Sequence, residues 1–592
     1  MTKKLDPITL DLIENALLNA RFEMDSVVTR VALSPVIREQ HDEFPMICNP
    51  AGQMVVGQFG SYIPEIVEQY KNNINEGDIF VWNDPYACKG SISHNNDWCV
   101  MMPIFHEGHH VGYSSIFGHM VDTGGKVPGS MPADAYTIWE EGLRVPPVKI
   151  YEDGKLNEGV LQIMLNNSRT PDMNRADLMA LIAGCRTAAK RVQEICDRFG
   201  RDSYLTACDE LMSRTREAMR VLISKYIPEE PVTFTDYVDD DGVGNGPFKL
   251  HLSIYKKGEV AVIDWTGTDD QAEGPINFHI HEGLCKLFFG VYMIMAFDPK
   301  IMFNEGFYDL FEIILPEGSL LNPKFPAALS NRLNTHTRFF DCQAGALGQQ
   351  APHLSMAAGY GTSPHFIFTG TDENGKYFQL MELLFGGVPG RPRDDGLDGH
   401  AWWPLFSATP IEYIENYYPV IVERYRPVQD AGGAGLHRGG AGIEKVYRVL
   451  ASGSISIHDD REVVPPWGIN GGLHGGTSSK WVVRAGKDEP ERIPSKTDSV
   501  KVEPGDRIIF ITAGSGGWGD PLERPVEKVL KDVRDGLVSR QKAERDYGVL
   551  IGEDLTVDEN GTEALRKSQR KERGEPAPFD FGFIPGVHEA AE

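Results

Sequence analysis

The sequence lacks a Cys-x-x-Cys pair, a Gly-x-x-x-x-Gly-Lys-Ser/Thr loop, a Gly-x-Ser-x-Gly turn and any apolar run near the ~20 residues that span a bilayer. Each absence removes a class of function. The eight cysteines, at 48, 88, 99, 185, 196, 208, 285 and 342, are scattered. This excludes a cysteine zinc cluster and a disulfide framework and fits reduced thiols in a cytoplasmic protein. Without a phosphate loop the chain has no familiar means of holding a nucleotide. GSGGWG at 514–519 matches a dinucleotide fingerprint in form, but the DPLERPVE that follows carries two prolines where that motif opens a helix. Basic residues are also in deficit, 58 against 85 acidic, for a formal net charge of -27. Nucleic acid and anionic membrane surfaces are therefore disfavoured partners. The N-terminal MTKKLDPITLDLIENAL has charges throughout and no uninterrupted apolar core, unlike a signal peptide.

What remains is a globular composition, 41% hydrophobic and 24% charged over 592 residues, long enough for about two to four domains. The expected fold class is α+β and multidomain. Its parts are a metal-site domain over 1–158, a helical segment over 159–230, a mixed α/β domain over 231–362, a β-rich domain with a final helix over 363–561, and a charged tail over 562–592 that is partly disordered or reaches a partner. Asp6-Pro7 opens a helix to about Ala32, with Ile8, Leu12, Ile13, Ala16 and Leu17 at helical spacing, and Ser34-Pro35 stops it. IREQHDEFPMICNPAGQMVVGQ reads as two strands around a turn, with Asp42 at its start. A helix is expected over 280–300, extended chain after it, and one closing helix over EKVLKDVRDGLVSRQKAERDYG. The glycine clusters DAGGAGLHRGGAG, WGINGGLHGG and ITAGSGGWGD read as tight connections in the β-rich domain.

The chemistry concentrates between Asn83 and Asp122. SHNND carries His94 and Asp97, the strand-like WCVMMPIF follows, and YSSIFG then delivers His119 and Asp122. Alone, each His-x-x-Asp is more often a polar strand end. As the two ends of one antiparallel hairpin they converge, and imidazole with carboxylate suits a divalent metal of intermediate hardness. HEGHH at 106–110 matches a zinc-protease motif, which needs both histidines on one helix face; here it links two strand-like runs.

IREQHDEFP, NDPYACKGSISHNND, FGHMVDTGGKVPGSMP, DWTGTDDQAEGPIN, YYPVIVERYRPVQDAGGAGLHRGGAGIEKVYR and GSGGWGDPLERP, in this order, resemble the B-type component of the hydantoinase/oxoprolinase family, which includes subunits of ATP-dependent ketone carboxylases. The resemblance implies a divalent metal, zinc first and manganese second, on Asp42, His94, Asp97 and His119. Asp122 is implied as a catalytic neighbour or alternative ligand. It further implies ATP and Mg on a separate A-type partner subunit, with room for further small subunits, and a small-molecule substrate. REQHDEFP and SHNND resemble the ketone carboxylase branch, so the expected activity is ketone plus bicarbonate to a β-keto acid. The alternatives are ATP-dependent hydrolysis of a hydantoin, lactam or 5-oxoproline, and a non-catalytic scaffold.

Overall fold

The computed structural model describes residues 4–58, 63–402 and 406–587. It is a mixture of helices and several sheets, a multidomain α+β fold, in two compact units. The first comprises Met1–Val232 with Ser253–Arg332, the second Thr233–Leu252 with Leu333–Glu592. This differs from the five-part division read from composition. The helical segment 159–230 is no separate part, because the helix Pro171–Phe199 packs on the N-terminal helix and on the site hairpin within the first unit.

In the first unit, α1 (Pro7–Val31) begins where Asp6 accepts the N–H groups of Ile8 and Thr9, the side-chain cap that satisfies orphan amides. Its buried stripe is Leu10, Ile13, Leu17, Ala20, Met24 and Val28. Ile8 and Leu12, assigned to that face from sequence, are 72% and 45% exposed. The stripe advances by three or four residues and leaves both outside the arc. Ser34-Pro35 ends α1 but also opens a one-turn helix, Pro35–Arg38, since proline is favoured at a helix start.

A seven-stranded sheet follows, in the order β2-β1-β5-β4-β3-β6-β7: β1 (Glu43–Cys48), β2 (Met54–Val56), β3 (Ile79–Trp82), β4 (Asp97–His106), β5 (His109–His119), β6 (Val148–Glu152) and β7 (Lys155–Leu156). Its neighbouring strands run antiparallel. β1 is buried at every position, so it carries no hydrophobic alternation. β4 and β5 join through Glu107 and Gly108, both at positive φ (50° and 74°), as in a tight two-residue hairpin turn. HEGHH is therefore a hairpin tip, and no helix presents its histidines.

The second unit holds an antiparallel sheet built from Tyr377–Leu383, His365–Thr371, Gly453–His458 and Lys496–Val502 in that order, and a five-stranded sheet. Its glycine clusters are where backbones touch: a Cβ at Gly439 would lie 2.1 Å from the Ser515 carbonyl oxygen, and one at Gly472 2.1 Å from that of Gly517. Three expectations need correction. The helix Leu333–Gln350 went unread because its polar residues are buried, Asn334 through Gly348 without exception. The single closing helix is two, Val526–Arg534 and Arg540–Tyr547, parted at Gly536 (φ 75°). In the tail's described residues, which end at 587, the helix Glu559–Arg573 forms and Phe579–Asp580 then pairs with Gly468–Ile469. Only Thr562 of that helix is buried, which accounts for its charged, disorder-like composition. Among the described residues no helix is long and apolar enough to cross a membrane, and all eight cysteines are free and buried.

Candidate metal centre

Strand register builds the centre. Asp97, first residue of β4, stands opposite His119, last residue of β5. On the other side of β5, Glu43 pairs with Gly118, which carries Asp42 alongside; the His119 N–H donates to the Asp42 carbonyl at 3.1 Å. His94 arrives from the preceding loop, which asparagines hold in place. Asn83 Nδ2 donates to the Asn95 carbonyl at 2.6 Å, and Asn96 Nδ2 donates to the carbonyls of Met120 (3.0 Å) and Gly129 (2.9 Å).

His94, Asp97 and His119 are all buried, and their ligand atoms lie within 4.8 Å of one another. Asp97 Oδ1 is 2.9 Å from His94 Nε2 and 3.4 Å from His119 Nδ1; Asp42 Oδ2 is 3.6 Å from the same Nδ1. Donor atoms sharing a tetrahedral cation at ordinary metal–ligand lengths sit roughly 3.3–3.6 Å apart, and two of these three separations fall in that range. Nδ1 of His94 and Nε2 of His119 are buried without a hydrogen-bond partner, an arrangement that costs free energy unless something else engages them. Protonation states agree. Burial, reinforced by the Arg332 charge, pushes His94 down to about 3, so its imidazole is neutral. Burial works against ionised Asp97, but His94, His119 and Arg332 hold it below the usual carboxylate range. Neutral imidazole and ionised carboxylate are the states a divalent cation binds, so the residues present fit a metal. Asp42, pushed up to about 6 by burial against the pull of His119, stands at the edge of the cluster.

Asp122 lies outside the grouped ligands. Its side chain is fully buried, and each oxygen takes two donors: Oδ1 the N–H groups of Gly124 (3.0 Å) and Arg169 (2.9 Å), Oδ2 the Gly129 N–H (3.0 Å) and Arg169 Nη1 (2.9 Å). With its acceptors occupied it shapes the DTGG loop and is not among the grouped ligands. That loop lines a cavity of about 350 Å³ together with Trp139 and Arg144.

Sequence reading missed Arg332 and Glu141. Arg332 Nε donates to Ser93 Oγ at 2.7 Å, and Nη2 lies 3.6 Å from Asp97 Oδ2. Neither residue has a local sequence signal, because the contact depends on distant loops meeting. Glu141 Oε1 accepts the N–H groups of Leu329 (2.5 Å) and Ser330 (2.7 Å), tying down the segment that leads to Arg332. Burial raises Glu141 from 4.5 to about 8. A carboxyl whose folded pKa is raised stabilises the fold fully below its unfolded pKa and loses that contribution as pH rises through the folded one. The urea midpoint of the wild type should therefore fall between about pH 4.5 and about 8. Glu141→Gln, permanently neutral, should flatten that part of the profile, and an unchanged slope would refute the assignment.

Known proteins give this geometry its context. The hydantoinase B/oxoprolinase family model matches residues 6–521. A protein of Pseudomonas sp. (strain NS671), provisionally named as the B component of a D-/L-hydantoinase, is 32% identical over 95% of this chain and 98% of its own length. The beta chain of caprolactamase from Pseudomonas jessenii is 30% identical over 95% and 99%, and the delta chain of acetophenone carboxylase from Aromatoleum aromaticum (strain DSM 19018 / LMG 30748 / EbN1) is 26% identical over 90% and 85%. Among solved structures, the ATP-dependent caprolactamase of Pseudomonas jessenii superposes with a TM-score of 0.84 at 27% identity, covering 95% of this chain and 100% of that one. A nucleotide-free acetone carboxylase shares the fold, with a TM-score of 0.87 at 20% identity, covering 96% and 83%. Family-model coverage of most of the chain, with whole-length relatives at 30% identity and above, makes this chain a member of the hydantoinase B/oxoprolinase family.

Proposed function

We propose that this chain is the metal-bearing subunit of an ATP-dependent enzyme that hydrolyses a small cyclic amide, working with a separate A-type subunit that handles ATP. The buried group of His94, Asp97 and His119 supports the metal. Whole-length similarity at 30% and above to proteins named for hydantoin and caprolactam supports the substrate class, and is the observation that carries it. A cation held by these residues, with Asp42 as a further carboxylate, would polarise a carbonyl oxygen or lower the pKa of a bound water. The chain's own residues do the rest. His94 and His119 offer ring nitrogens, Asp97 supplies a negative charge, and the asparagine-pinned loop and the strand register hold these donors together. Zinc, then manganese, suits the mixed nitrogen and oxygen donors.

ATP-dependent ketone carboxylation is the second reading, supported by the forms of REQHDEFP and SHNND and by the similarity to the acetophenone carboxylase delta chain. The chain co-purified with its ATP-binding partner should hydrolyse hydantoin, caprolactam or 5-oxoproline only when ATP is present. If label from bicarbonate instead enters an acid product with acetone or acetophenone, and no cyclic amide opens, the amide reading fails and carboxylation stands.

A further inference from the structure

We propose that Arg332 is an oxyanion-binding residue of the metal centre, receiving a phosphoryl or carboxylate oxygen of the reacting molecule on its Nη1. The side chain is almost wholly buried. Its Nε is committed to Ser93 Oγ at 2.7 Å. Its Nη2 faces Asp97 Oδ2 at 3.6 Å, beyond hydrogen-bond length and unlike the two short parallel bonds by which a guanidinium usually neutralises a carboxylate. Its Nη1 is buried with no partner. Asp97 therefore accounts for only part of this fork, while the donors of a guanidinium are fixed in one plane and cannot turn away.

Chain neighbours of the centre carry unpartnered groups as well. Asn331 Nδ2, next to Arg332 in the chain, and both amide atoms of Asn95, next to His94, are also buried without partners. These are neutral groups able to hydrogen-bond a polar ligand. With a divalent cation on His94, Asp97 and His119, the imidazoles and the two carboxylates of Asp97 and Asp42 still leave the cation and Arg332 in positive excess. An anionic oxygen bridging the two would restore balance, as charge-assisted hydrogen bonds to an oxyanion do. A phosphorylated carbonyl and a carboxylate both present such an oxygen. The inference rests on the metal-bearing reading above but goes beyond it, since the family resemblance carries nothing onto Arg332.

The test uses the full-length chain loaded with Mn(II). Inorganic phosphate and, separately, bicarbonate are titrated calorimetrically into wild type, Arg332→Gln and Arg332→Lys, with bound metal measured in each by elemental analysis. Wild type should bind at least one of the anions, Arg332→Gln should bind it roughly ten- to a hundredfold more weakly, Arg332→Lys should fall between, and all three should hold equal metal. Binding of phosphate alone identifies a phosphoryl group as the ligand; binding of bicarbonate alone identifies a carboxylate. The proposal is overturned if neither anion binds wild type, if Arg332→Gln binds as wild type does, or if the anion is lost only in proportion to the metal, which would make Arg332 a support for Asp97. The conservative Arg332→Lys keeps the test decisive should Arg332→Gln fold poorly. If wild type takes up no metal, the reading above fails, while the comparison of wild type with Arg332→Gln still decides the role of Arg332.

Discussion

Asp97→Asn should strip the chain of its metal and lower turnover of the assembled enzyme by about a thousandfold or more, equivalent to about 4 kcal/mol of transition-state stabilisation. Asp97 is the hub of the centre. One of its oxygens is shared between His94 and His119 at 2.9 and 3.4 Å, and the other faces Arg332. Asparagine keeps the volume and removes the charge. Losing a residue that merely orients a ligand costs roughly ten- to a hundredfold in metal affinity, so losing a ligand should cost more. The variant also leaves the Arg332 guanidinium buried beside a neutral amide, and breaking a buried ion pair by removing one partner costs about 3–5 kcal/mol. The first unit should therefore unfold at lower urea as well. Elemental analysis separates the two effects: an Asp97→Asn chain that is folded yet still holds stoichiometric metal would end the assignment of His94, Asp97 and His119 as its ligands.

The second large effect lies away from the centre, in the charged core of the second unit. Arg461, fully buried, places Nη2 2.6 Å from Asp341 Oδ2 and 3.3 Å from Asp236 Oδ2. Arg338 Nη2 lies 2.5 Å from Asp460 Oδ2, and Lys496 Nζ lies 2.7 Å from Asp460 Oδ1. Arg461→Met would leave Asp236 and Asp341 desolvated without their shared counter-charge, at a cost of about 3–5 kcal/mol. Domains are stable by only about 5–15 kcal/mol, so the variant should express poorly or unfold at much lower urea. Arg461→Met combined with Asp341→Leu should recover part of the loss, because an apolar pair of similar volume can replace a buried ion pair at little cost. A double-mutant cycle on the second unit's transition measures that recovery. A cost below about 1 kcal/mol for Arg461→Met alone would show that the network contributes little.

The same network explains the largest misreading of the fold. Leu333–Gln350 carries Arg338 and Asp341 on a helix whose residues from Asn334 to Gly348 are all buried. Hydrophobic periodicity marks a helix with one wet face, and this helix has none. The tail erred in the opposite sense: Glu559–Arg573 is a helix with a single buried residue, Thr562, so little in its composition distinguishes it from disordered chain. α1 and the β4–β5 hairpin were legible because local rules govern them: a capping aspartate before proline, an apolar stripe at helical spacing, and two apolar runs around a glycine turn.

For the centre, the sequence determined the residue types and their order. Two His-x-x-Asp elements at the ends of a hairpin come close once the strands pair, but the two-residue turn alone would set Asp97 opposite Gly118; a bulge between Ile104 and Phe105 shifts the register by one and sets it opposite His119. Only the tertiary structure decided between the four. It placed Asp42 beside His119 through the β1–β5 ladder, and it withdrew Asp122 by surrounding the carboxylate with the Gly124, Gly129 and Arg169 donors. It also brought in Arg332. Loop closure over such separations follows from burial and hydrogen bonding summed across the whole unit, and no local pattern records it. His94, Asp97 and His119 were written between Asn83 and Asp122, with Asp42 upstream; which of them face one another, and which cation stands beside them, was decided by the fold.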